Sequence, residues 1–253
     1  MKVTFLGTGT SQGVPVIGCS CDVCLSLDYR DKRLRTSVHI EVEGKSFVID
    51  TGPDFRQQML RERVAHLDAL IFTHAHRDHT AGLDDVRAYN FLQNMDMPVY
   101  GRPAVLKQLR NEYAYAFNDR KYPGIPRLDL REIDEDAFVV NNIKVTPLPV
   151  MHLNLPVLGF RIGNFSYITD ANLIPDDTLK KMEGTDVLVL NALQRERHVS
   201  HFNIEEAIAQ ADKIRPAKTY FTHISHKLGR HAVISNELPA GIGLAYDGLE
   251  VAC

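Results

Sequence analysis

Three imidazoles and a carboxylate fall within six residues at His74-Ala75-His76-Arg77-Asp78-His79, directly behind the apolar run Ala69-Leu70-Ile71-Phe72. Imidazole and carboxylate are ligands that Zn²⁺ and Mn²⁺ accept, and a sharp loop after a strand lets alternate side chains converge on two neighbouring centres. The run predicts a metal site for two divalent ions. Two ions need further ligands, and polar residues that end other apolar runs offer them: His152 after Val145 to Met151, Asp170 after Ser166 to Thr169, and His223 after Tyr220 to Thr222.

A second cluster is built of thiols. Cys19-Ser20-Cys21-Asp22-Val23-Cys24 sets three cysteines at C-x-C-x-x-C, too tight for ordinary core cysteines, and thiolates this close need a cation. A structural Zn²⁺ takes four tetrahedral ligands, so one is missing locally. Cys253 could supply it, but a terminal residue is a poor anchor. His226, three residues past His223, is the better candidate, because one turn could then face both sites.

The elements that must position these groups are legible as alternating runs. Short apolar stretches at Val3 to Leu6, Val38 to Val42, Ser46 to Ile49, Ala69 to Phe72, Val145 to Leu148, Gly159 to Ile162, Ser166 to Ile168, Val187 to Leu190 and Thr219 to Phe221 read as strands. Helices are expected over Asp54 to Arg63, Leu83 to Gln93, Ala104 to Phe117, Asp176 to Met182 and Asn203 to Ile214, the last with Asn203 as N-cap and Glu205 and Glu206 in its first turn. Early strands come as hairpins and later ones alternate with helices. That pattern predicts a layered α/β protein, two packed sheets with helices outside.

With 253 residues and 44% hydrophobic content, the chain can bury a full core as one domain, 1–253, since no linker interrupts it. A net charge of -3 and a pI of 6.4 supply no global basic field, which disfavours a nucleic-acid partner without excluding one. The N-terminal apolar run is too short for a signal peptide and no stretch reaches transmembrane length, so a cytoplasmic location with reduced thiols is expected. Two segments are irregular. Residues 102–131, read as an insertion, carry seven Lys or Arg against three Asp or Glu among Tyr113, Tyr115, Phe117 and Tyr122; they suit a solvated helix and loop, or a lid that supplies cations to an anionic substrate. Gln194 to Phe202 holds Arg195, Arg197, His198 and His201, and suits a loop at the active site.

The order Asp50, His74 to His79, His152, Asp170, His223 resembles the successive motifs of the metallo-β-lactamase fold superfamily, whose fold is an αββα sandwich. The resemblance implies that His74, His76 and His152 hold one ion, that Asp78, His79 and His223 hold the other, and that Asp170 bridges both. Asp50 would orient ligand imidazoles. The stretch Gly7-Thr8-Gly9-Thr10-Ser11-Gln12-Gly13-Val14-Pro15, the three cysteines and the ending Thr222-His223-Ile224-Ser225-His226 narrow it further. Together they are similar to the PhnP family of cyclic-phosphate phosphodiesterases, in which the cysteines and the second histidine of that ending bind a structural zinc. Residues 102–131 look longer than that family needs.

A paired-metal centre, its ions roughly 3.5 to 4 Å apart, can hold a bridging hydroxide, polarise a phosphoryl oxygen and stabilise the charge of an in-line displacement. The leaving alkoxide then needs a proton from outside the metal shell. His198 and His201 are the candidates; His201, before the helix that starts at Asn203, matches the position of the family's catalytic histidine, and with Asp78 it makes the catalytic pair. The expectation is a hydrolase of small cyclic phosphates or phosphodiesters with two catalytic Mn or Zn ions and one structural Zn. Competing readings are a transfer-RNA 3′-processing nuclease, for which only 102–131 could serve as a basic arm, and a noncatalytic carrier of the type associated with pyrroloquinoline quinone biosynthesis, which would not need all seven ligands. The size is compatible with a homodimer, although nothing in the pattern specifies an interface.

Overall fold

The computed structural model describes residues 1–118 and 123–253. Among them the chain forms β1 (Lys2–Gly7), β2 (Ser37–Val42), β3 (Lys45–Ile49), α1 (Phe55–Arg61), β4 (Ala69–Ile71), α2 (Arg77–Thr80), α3 (Arg87–Gln93), β5 (Met97–Gly101), α4 (Pro103–Glu112), α5 (Ala114–Phe117) and β6 (Leu128–Glu132). It continues with β7 (Phe138–Val140), β8 (Ile143–His152), β9 (Leu155–Ile162), β10 (Phe165–Tyr167), α6 (Asp176–Lys181), β11 (Val187–Asn191), α7 (Ile204–Ile214), β12 (Lys218–Thr222), α8 (His231–Glu237), β13 (Ile242–Leu244) and β14 (Glu250–Ala252).

The strands make two sheets of seven, in the orders β14-β1-β2-β3-β4-β5-β6 and β13-β12-β11-β10-β9-β8-β7. Each sheet is antiparallel along one half and parallel along the other: β3 to β6 in the first, β10 to β13 in the second. Phe5, Ile40, Phe47 and Ile49 of the first sheet meet Val145, Leu158, Phe160 and Val189 of the second, and this inter-sheet layer is the main core. Phe55, Met59, Tyr89, Val105 and Leu109 of the helices cover the outer face of the first sheet. Ala207, Ala211 and Ile234 help to cover the second. The two-sheet sandwich with outer helices is the architecture expected from the sequence.

Local chemistry explains the element boundaries. Pro147 and Pro149 survive inside β8 because the Met151 N–H, in phase with theirs, points away from β9 toward the Leu173 carbonyl, so the missing donors fall on the side without a ladder. Asn203 caps α7 in a reciprocal box: its side chain accepts the Glu206 N–H at 2.8 Å and the Glu206 carboxylate accepts the Asn203 N–H at 3.1 Å. The helix expected over Ala104 to Phe117 breaks at Tyr113, whose hydroxyl donates to the Thr80 carbonyl at 2.8 Å. Much of 102–131 belongs to the body of the sandwich: α4 buries Val105, Leu106 and Leu109, and β6 pairs in parallel with β5. Asp119 to Tyr122, part of the basic and aromatic stretch, lie outside the described residues.

Candidate metal centres

The candidate ligands sit where strands end. Asp50 follows β3, His74 to His79 follow β4, His152 ends β8, Asp170 follows β10 and His223 follows β12. Asp50, Asp170 and His223 adopt left-handed backbones, with φ of 64°, 52° and 56°. This region disfavours L side chains by about 1 kcal/mol or more. The strain turns the chain sharply off the strand and leaves the side chain in the cleft. The loop after β3 is pressed against α2: Thr51 N–H donates to the His79 carbonyl at 2.7 Å, and a Cβ on Gly52 would lie 2.2 Å from the Asp78 carbonyl, so only glycine fits.

The structure brings the ligand atoms of His74, His76 and His152 within 4.8 Å of one another, and does the same for Asp78, His79, Asp170 and His223. Asp170 stands between the sets. Its carboxylate lies 3.3 Å from His79 Nε2, 3.2 Å from His223 Nε2 and 4.0 Å from His74 Nε2. Asp78 Oδ2 is 3.3 Å from His79 Nε2 and 3.8 Å from His223 Nε2.

Three of the outer nitrogens are spoken for. His79 Nδ1–H donates to Asp50 Oδ2 at 2.7 Å, and His152 Nδ1–H donates to the Ser200 carbonyl at 2.7 Å, an acceptor that admits only this tautomer. The Thr73 hydroxyl donates to Asp50 at 2.8 Å and can accept from His74 Nδ1–H at 2.9 Å. Their Nε2 lone pairs therefore face the cluster. The Nε2 atoms of His74, His79 and His223 are buried without a hydrogen-bond partner. Buried polar atoms are rarely left so, and a cation in their midst would satisfy all three. The donor set fits a divalent ion of borderline softness.

Electrostatics agree with the need for positive charge. Burial opposes the Asp170 charge, yet His223 and His79 outweigh it and hold the carboxyl well below the usual range. Burial likewise disfavours protonated His223, but Asp170 and Asp78 raise it to about 9. His79 is raised well above its ordinary value, because Asp170, Asp50 and Asp78 overcome burial. His74, fully buried, is pushed well below. Asp170, Asp50 and Asp78 thus concentrate negative charge around the ring nitrogens of His79 and His223, which a cation among them would balance.

The thiol cluster closes on a histidine. Cys19, Cys21 and Cys24 place Sγ at 3.3, 3.4 and 3.6 Å from His226 Nδ1. Tetrahedral zinc with ordinary S and N bond lengths has S···N edges of about 3.5 Å. The Val16 and Cys24 amides donate to Cys24 Sγ and Cys21 Sγ, which favours thiolate. The Cys24 amide and His226 push the Cys21 thiol down to about 6, whereas burial pushes Cys24 up to about 11. Cys253 is elsewhere, its N–H on the Met1 carbonyl at the edge of the first sheet. One turn carries both sites: Ile224, between His223 and His226, bonds to Thr8 and Thr10 of the N-terminal loop.

His201 lies beside the cluster, its Nε2 3.1 Å from Asp170 Oδ2 and its Nδ1 3.0 Å from Ser200 Oγ. Burial depresses it to about 4, against the pull of Asp170. His198 approaches from outside, Nδ1 to Nδ1 at 3.3 Å. The three remaining histidines have protein partners: His39 with Ser46, His66 with Asp68 and His231 with Arg33.

Residues 45–224 match the model of the beta-lactamase superfamily domain. The chain belongs to the beta-lactamase superfamily. Its metallo-β-lactamase fold resembles that of the PhnP family: a solved diphosphatase from that family is 38% identical, with a TM-score of 0.93 over 100% of this chain and 97% of that one. A Porphyromonas gingivalis protein named octanoyltransferase is 40% identical over 99% of this chain, which spans only 51% of that relative. A ribonuclease Z from Mycobacterium sp. (strain KMS) is 25% identical over 88% of this chain and 84% of its own length. The metallo-β-lactamase fold is thus the one that the order Asp50, His74 to His79, His152, Asp170 and His223 led us to expect. Sequence reasoning did not find Ser200 as the carbonyl partner of His152 or Thr73 as a link between Asp50 and His74. A backbone carbonyl leaves no mark in a sequence, and Thr73 reads as any strand-end threonine.

Proposed function

We propose that this protein is a metal-dependent phosphodiesterase acting on small phosphodiesters or cyclic phosphates. His74, His76 and His152 would hold one divalent ion, Mn or Zn, and Asp78, His79 and His223 the other, with Asp170 shared between them. Cys19, Cys21, Cys24 and His226 would hold a structural zinc. The observation that carries the reading is Asp170, set between two ligand groups with buried, unpartnered imidazole nitrogens around it and His201 in contact with its Oδ2. When bound, the ion pair supplies Lewis-acid activation of water and stabilises charge on the phosphoryl oxygens.

The chain's own residues do the rest. Asp50, Thr73 and the Ser200 carbonyl fix the tautomers of His79, His74 and His152, so these three present a lone pair without reorganising. The Ser200 hydroxyl can donate to His201 Nδ1, which leaves the proton at Nε2 facing the cleft. An anionic phosphate brought beside His201 favours its protonated form, and Nε2–H then serves the departing oxygen. The diphosphatase and ribonuclease Z relatives, both named for cleavage at phosphate, support this substrate class.

The experiment is hydrolysis of bis(p-nitrophenyl) phosphate with Mn²⁺ or Zn²⁺, expected in the parent and lost in His76→Ala. No metal-dependent turnover on any phosphodiester, precursor transfer RNA included, would sink the proposal. His201→Ala should slow a poor leaving group by about 100-fold more than an activated one; equal losses on both would remove its acid role. Metal counts separate the carrier alternative, which predicts zinc in the thiol site alone.

A further inference from the structure

His152, Asp170 and His201 also bring their ligand atoms within 4.8 Å of one another, and at the rim of this group the surface turns apolar. Leu153, Leu173 and Val199 are 51%, 53% and 71% exposed, and Leu155 beside them is 41% exposed. Each lies within three residues of a member of that group, but they come from three separate loops. One side chain ties the loops together. The Asn172 amide N–H donates to the Met151 carbonyl at 2.9 Å, its Oδ1 accepts the Leu153 N–H at 2.8 Å, and its Nδ2 donates to the Val199 carbonyl at 3.1 Å. Met151 in turn donates to the Leu173 carbonyl at 3.0 Å. Single exposed leucines need no explanation. Three of the four, Leu153, Leu173 and Val199, held in register by these bonds beside a cluster of histidines and carboxylates, give a polar site an apolar margin, the usual composition of a small-molecule pocket.

We infer that this shelf is a subsite for an apolar group on the substrate: a phosphate ester whose departing alcohol carries an alkyl or aryl portion, laid against Leu153, Leu173 and Val199 while the phosphate faces the metal ligands. Val199 is two residues from His201, so the group on the shelf is the one next to the proposed proton donor. A second copy of the chain is the competing occupant, but a stable protein interface takes about 20 to 30 residues a side. Three side chains continuous with the site fit a ligand instead. The inference rests on the phosphodiesterase reading for the word departing; the apolar contact itself does not.

The test is calorimetric titration of the Mn²⁺-loaded full chain with methyl, butyl and octyl phosphate. A fully buried methylene strengthens binding about 4-fold, so four more on a half-open shelf should tighten octyl over butyl phosphate by about 10-fold. Leu153→Ser combined with Val199→Ser should flatten that series to within about 2-fold and leave methyl phosphate unchanged. Equal affinities for all three ligands in the parent overturn the subsite. So does a double variant that keeps the chain-length series and changes only the sedimentation coefficient, since the shelf is then a protein interface. Chain-length dependence without any phosphodiester turnover would uphold the shelf and reject the phosphodiesterase reading; turnover with no chain-length dependence would do the reverse.

Discussion

Asp50→Asn isolates what a buried carboxylate does for the candidate metal centre. The Asp50 side chain is fully buried and accepts three bonds, from Thr73 N–H at 2.9 Å, Thr73 Oγ1 at 2.8 Å and His79 Nδ1 at 2.7 Å. Asparagine keeps the shape and tolerates the φ of 64° better than most residues, so the backbone is not the perturbation. With its oxygen on the Thr73 amide, its NH₂ faces His79 Nδ1–H, donor against donor. The Thr73 hydroxyl can rotate to accept; the imidazole can escape only by moving its proton to Nε2, the atom that faces the cluster. A hydrogen bond to a charged group is worth about 1.5 to 3 kcal/mol. Losing this one and its tautomer control should weaken metal binding about 10- to 100-fold. The assay is competitive chelator titration of Mn²⁺ and Zn²⁺ on parent and variant, with circular dichroism to show that both fold. A folded variant with parental affinity and stoichiometry would refute the claim that Asp50 orients a ligand.

Removing an ion from the thiol site should loosen the N-terminal loop, because the cysteines and His226 add to the Thr8 and Thr10 bonds on Ile224 in joining it to the turn after β12; Cys21→Ser should release one zinc per chain and lower the melting temperature, and an unchanged zinc count would refute the site. Stability should fall with acid through His231, which burial and the Arg33 guanidinium depress to about 4. The unfolded chain takes up that proton near pH 6.5 and the native state does not, so this contribution is complete above 6.5 and is lost as pH falls toward 4, by up to about 3 kcal/mol. Urea melts at pH 7.5 and 5 should show the loss in the parent and a smaller one in His231→Gln; equal losses would clear His231 of the effect. Asn203→Ala removes the α7 capping box and should cost about 1 kcal/mol, a fall in melting temperature of about 2 to 4 °C, with no change in metal content.

The candidate ligands were readable because metal chemistry restricts residue type: few roles call for His74, His76, Asp78 and His79 in one loop, or for Cys19, Cys21 and Cys24 in another. The sandwich was readable because a two-sided core demands apolar runs such as Val187 to Leu190 and amphipathic helices such as α7. Short edge elements were not. β13, β14 and α8 carry too few periodic residues to stand out, and the helix expected over Ala104 to Phe117 divides at Tyr113 because that side chain reaches the Thr80 carbonyl, a contact between distant parts of the chain. Convergence was likewise a tertiary matter. Left-handed turns at Asp50, Asp170 and His223, the Ser200 carbonyl on His152 and the Asn172 tether depend on where strands from two sheets end in space. The sequence alone determined which atoms could bind metal; packing of the two sheets decided which way those atoms face, because tautomer, turn and rim are set by partners far away along the chain.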